Sequence, residues 1–170
     1  MASQPRPVIK FASPGRWAVR ADLDDALLGA SLVFAGAAVW GSAVAIRNQL
    51  PGQPLGITVP LSVSAGLVAG WGAGVAAPWP MPVAAIAAAA TARFRAPSPR
   101  PGNVCAIIGT GCIVGTLIEP VTERPGSWSR ATALAIGFNI AASAGLIAAG
   151  LRHSAAARVR DAGSPDAKAG

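Results

Sequence analysis

Charge is what this 170-residue chain has least of. Asp, Glu, Lys and Arg make up 12% of it, against roughly a quarter in an ordinary soluble domain, too little polar surface for a monomer in water. Aromatic residues are scarce as well, at 5% with no tyrosine. Only Cys105 and Cys112 are present, which excludes a disulfide scaffold; they lie seven residues apart and match neither C-x-x-C redox spacing nor a metal-binding pattern. The missing Gly-X-Y period excludes a collagen-like chain, and 52% apolar residues exclude disorder. There is no G-x-x-x-x-G-K, H-E-x-x-H or G-x-S-x-G, so the motif-defined enzyme classes find no support. Gly109-Thr110-Gly111 looks like the start of a dinucleotide loop, but three residues rather than two separate Gly111 from Gly115, and no strand precedes it.

What the chain does have is long runs without a charge. A charge at the bilayer centre costs at least ~2.5 to 3.5 kcal/mol on insertion scales, so these runs mark candidate spans. They cover 26–46, 48–92, 101–118 and 131–151. Crossing a core of ~30 Å takes about 20 helical residues. The first and last runs fit one helix each, and the third is a short span over 103–118. The 45-residue run holds an apolar segment at 57–77, then Pro78, Pro80 and Pro82. Three prolines in five residues break a helix there, leaving 83–92 as a short piece. The expectation is an all-α integral membrane protein with spans at about 26–46, 57–77, 103–118 and 131–151. A short interfacial or re-entrant helix follows the second span, with Trp79 and Phe94 near the headgroups.

Basic residues choose between four spans and five. With four spans and the amino terminus inside, cytoplasmic segments hold eleven of the fourteen, leaving Arg47, Arg124 and Arg130 outside; five spans divide them six to eight. The reading is therefore a basic cytoplasmic segment at 1–25, a transmembrane domain at 26–151 and a basic cytoplasmic tail at 152–170. Ala43-Val44-Ala45 resembles a signal cleavage site, but the apolar run before it is too long for a signal h-region. Anionic lipid accounts for the +7 net charge; nucleic acid is not needed. Twelve arginines against two lysines, with abundant alanine, suit a high-GC bacterial genome, which places the chain in a bacterial inner membrane.

Small residues allow helices to approach closely in lipid. Ser62, Gly66, Gly70 and Gly74 recur every four residues in the second span, as do Ala133, Gly137, Ala141 and Gly145 in the fourth; Gly111 and Gly115 do so in the third. A four-residue step keeps each series on one groove, a glycine-zipper pattern that points to a closed bundle or a subunit interface. Asn139 is the one strongly polar side chain well inside a span and is placed to bond a neighbouring helix. Thr110, Thr116, Ser62, Ser64 and Ser143 can return hydroxyls to their own backbone. Asp22, Asp24 and Asp25 read as caps on the first helix. Glu119, before Pro120 at the outer end of the third span, is the acid best placed to take a cation or proton. His153 follows the fourth span at the interface.

No catalytic residues, metal ligands or cofactors are expected. The functional expectation is a small polytopic protein acting as a structural or accessory partner through helix packing, with homo-oligomer or other membrane proteins as its partners. The alternative is a small transporter or channel that uses the Pro-broken segment 78–92 as a half-span.

Overall fold

The computed structural model describes residues 14–73, 75–95, 97–122, 126 and 128–162, with backbone alone for 14–20 and 161–162. Among them are five α-helices and no strand: α1 Pro14–Arg47, α2 Val63–Ala69, α3 Pro80–Phe94, α4 Arg100–Leu117 and α5 Arg130–Ala162, with a single 3₁₀ turn at Pro54–Gly56. Two helices are long and apolar enough to cross a membrane. Ala21–Arg47 within α1 and Arg130–Arg160 within α5 both reach a mean hydropathy of 1.8.

Contacts between helices fix their directions. Trp79 Nε1 donates to Ser42 Oγ at 3.0 Å, and Arg93 pairs with Asp25 at the other end, so α3 runs antiparallel to α1. Leu55 N donates to Ile118 O at 3.1 Å, while Cys105 Sγ sits 3.9 Å from Ser31 Oγ; α4 therefore runs parallel to α1. Asn139 meets Thr116 and His153 meets Asp24, which turns α5 back again. The result is four long helices in up-down order around one core, with two poles. Arg93, Arg95, Arg100, Arg152, Arg158 and Arg160 lie at one, the basic pole; the described residues of 48–73, 75–79, 118–122 and 128–129 form the other, the loop pole.

The core repeats in steps of three and four. Leu27, Ser31, Phe34, Ala38, Gly41 and Ala45 are buried along α1; Gly102, Cys105, Gly109, Cys112 and Thr116 along α4; Pro82, Ala85, Ala89 and Ala92 along α3. A mean step of 3.5 residues is the left-handed seam that keeps one narrow face toward its neighbours. Because the seam residues are small, backbones come close. A Cβ on Gly109 would stand 2.7 Å from Ser143 O and 2.8 Å from Ile147 Cγ1, and Gly102 and Gly150 face each other's carbonyls at closer range still. Gly41 makes a comparable approach, 2.6 Å from Val75 O.

Several expectations are corrected here. The segment 57–77 is not a continuous helix: α2 covers only Val63–Ala69 and ends at Gly70, whose φ of +90° is left-handed. Ser62 caps that short helix, accepting from Ala65 N at 3.2 Å, and Gly66 is its buried member; Gly74 lies outside the described residues. The helix expected at 83–92 instead begins at Pro80, because proline at a first turn has no N–H to waste. It does not lie along a surface, since Ala85, Ala89 and Ala92 belong to the core. Trp79 and Phe94 are consequently at opposite poles rather than together. Ala133, Gly137, Ala141 and Gly145 are all exposed, and no atom comes within 4 Å of a Cβ on Gly137, Gly145, Gly111 or Gly115. These four-residue series do not hold the bundle closed. The aspartates do not cap α1 either, as that helix starts at Pro14.

The seam makes a testable distinction between glycines. Gly109→Val should cost ~1–3 kcal/mol through overpacking, read as a lowered midpoint of thermal unfolding in detergent, whereas Gly137→Val should stay within about 0.5 kcal/mol.

Candidate functional site

Polar side chains inside the bundle gather at three levels. Nearest the basic pole, His153 Nε2 lies 3.2 Å from Asp24 Oδ1, both almost fully buried, and Ser154 Oγ donates to Pro99 O at 2.9 Å. Towards the loop pole, Asn139 Nδ2 donates to Thr116 Oγ1 at 2.9 Å, and its Oδ1 accepts from Cys112 Sγ at 3.5 Å. Leu27, Phe34 and Leu146, each fully buried, lie in the core between these levels. Ser31, Ser42, Thr110 and Thr116 return their hydroxyls to carbonyls four residues back, as isolated helical hydroxyls do.

The third level is the loop pole, where Glu119 is 6% exposed. Pro120 forbids continuation of α4, and Thr122 Oγ1 bonds Thr116 O at 2.7 Å, folding the chain back so that the carboxylate turns inward. Glu119 Oε2 accepts from Gln53 N at 2.8 Å. The Gln53 loop is tied in turn to the segment after α2, because Trp71 Nε1 donates to Gly52 O at 2.9 Å. There Trp71 N and Gly72 N both reach Gly66 O, at 3.0 and 3.1 Å, and Gly72 takes a φ of +85° that other residues rarely adopt. Three loops thus enclose a cleft of about 120 Å³ beside α4, bounded by Glu119, Thr116, Gly115, Trp71, Pro78 and Met81. Burial pushes the Glu119 carboxyl above its ordinary value, opposed in part by the Gln53 N–H.

Glu119 and Asn139 are thus on the same end of α4 and α5, one lining the cleft and the other pinned to Thr116 at its edge. Gly111 and Gly115 border the same space. Ser62 and the α5 series are elsewhere. The Asp24–His153 pair was not recognisable from local sequence; the signal was the seam register, which places Asp24 seven residues before Ser31 and His153 seven after Leu146. No group of three or more His, Cys, Asp or Glu that could hold a metal occurs among the described residues. Both cysteines are buried and unbridged.

The geometry defines a small all-helical protein with two helices able to cross a membrane. No protein family matches the chain, and neither the curated proteins nor the solved structures contain a significant match to it.

A buried acid with a raised pKa binds its proton more tightly folded than unfolded, so stability present at low pH is lost as pH rises through the folded value. Glu119→Gln, which keeps an acceptor for Gln53 N, should therefore melt higher than the parent at pH 8, and the gap should close towards pH 4. Thermal unfolding of both across that range checks it.

Proposed function

We propose that the chain is a multi-pass protein of a bacterial inner membrane which acts without catalysis, as a structural or accessory partner of other membrane components or of further copies of itself. In this reading α1, α3, α4 and α5 are four crossings and both termini are cytoplasmic. Two of the helices are long enough to cross, while α3 and α4 span roughly 22 and 27 Å at ~1.5 Å per residue and so ask for a thinned or locally covered bilayer. The charge fits also, because the basic pole carries six arginines against Arg47 and Arg130 at the other, the bias expected of a cytoplasmic face near anionic lipid.

The observation that carries the accessory role is the outward face of α5. Ala133, Gly137, Ala141 and Gly145 form a four-residue small series that the bundle itself leaves unused, and such series let a second helix approach closely in lipid. A single cysteine placed at Ala141 in a Cys105→Ser/Cys112→Ser background should cross-link in native membranes to another copy or to a partner. Gly145→Leu should abolish that cross-link without lowering the unfolding midpoint. Cross-linking that is absent, or indifferent to Gly145→Leu, would count against the accessory role.

A second reading, a small solute-handling protein, is favoured by one specific feature. The break between α2 and α3 lines the cleft that holds Glu119, and broken helices beside a buried charge are how transporters build solute sites. The half-span expected at 78–92 becomes α3 itself in this reading, with residues 70–73 and 75–79 as the irregular part.

A further inference from the structure

The cleft at the loop pole has one described charge in its lining, the Glu119 carboxylate, and no cation. It also receives the carboxyl-terminal end of α4, the electronegative end of that helix's dipole. Everything about its electrostatics asks for a positive ligand. Its lining decides which kind. A metal ion of the calcium type needs six to eight oxygens, and magnesium keeps several waters in a strict octahedron; here one carboxylate oxygen is engaged by Gln53 N, and the Thr116 hydroxyl oxygen already accepts from Asn139 Nδ2. The remaining walls are apolar: Trp71, Pro78, Met81 and alanines. A lone carboxylate beside an indole in an apolar cleft suits a weakly hydrated cation that carries its own apolar surface.

Size narrows it further. About 120 Å³ is well below the ~300–1,000 Å³ of sites for drug-sized ligands, so the occupant has only a few heavy atoms. Gly111 and Gly115 line the space on the α4 side, and a Cβ at either would meet no atom within 4 Å. We infer that the cleft binds a small organic ammonium cation, with Glu119 as its counter-ion, Trp71 as its aromatic wall and Gly115 as the gap that admits it. The inference rests on the solute-handling reading above and names its ligand class.

The full-length protein in detergent at pH 8, titrated with tetramethylammonium chloride and followed by calorimetry and tryptophan fluorescence, tests this. The expected result is saturable binding that weakens at least tenfold in Glu119→Gln and in Gly115→Leu, with circular dichroism showing both variants folded, and no saturable response to sodium chloride. Gly115→Leu fills the cleft while leaving the carboxylate in place, so the two variants fail for different reasons. Binding undiminished in both would overturn the site. A saturable response to sodium and none to tetramethylammonium would overturn the ammonium inference while leaving the solute-handling reading; no saturable response to either would overturn both.

Discussion

Backbone contact between α4 and α5 is the constraint on which the rest of the structure depends. Gly102, Gly109 and Gly150 have no side chain to hold the helices apart, and the short distance they permit is what allows Asn139 to reach Thr116 and Ser154 to reach Pro99 O across the seam. In lipid the apolar tails compete for every leucine, so close packing of backbone and a few buried hydrogen bonds must supply what hydrophobic burial supplies in water. Many buried positions hold small residues, glycine and cysteine on α4, alanine on α3 and serine on α1 and α5, beside a few large ones such as Phe34 and Leu146, while Val39, Ile107 and Leu134 are exposed.

The same economy explains the loop pole. Helices packed this tightly leave little space within the bundle, and the core between the polar levels is filled by Phe34 and Leu146. The Glu119 cleft lies where the chain stops being helical, at the turn through Gly70 and Gly72 and at the end of α4. A carboxylate kept in such a place is a cost to folding, and buried groups with displaced pKa values concentrate at functional sites. Asn139 and Thr116, one turn below, satisfy each other and are structural by comparison.

Two surfaces therefore carry the functional argument, and they face different ways. The α5 stripe is an outward face of small residues, suited to another helix; the Glu119 cleft is an inward pocket with one negative charge. A chain can use both, since the stripe lies along exposed positions of α5 and the cleft is built from α4 and the loops beside it.

Composition and the charge-free runs were enough to read a helical, membrane-suited chain, because the cost of burying charge in lipid acts on each residue regardless of its partners. They also placed α1, α4 and α5 to within a few residues, apart from the extensions of α1 and α5 past the apolar runs, where charged residues continue as exposed helix. Local chemistry singled out Glu119 and Asn139, but the prolines at 78–82 open α3 rather than interrupt a helix, since α2 has already ended at Gly70. What only the tertiary structure decided was which face of each helix is used. Steps of four and steps of three-and-four coexist in an Ala/Gly-rich sequence, and spacing alone does not say which meets a neighbour; the packing angle chose the 3.5-residue seam over the glycine-zipper series. It decided likewise that 57–77 breaks at Gly70 and that α3 takes the core position instead. Its alanines fit against α1 and α4, whereas the glycines after α2 supply the left-handed turns that close the cleft.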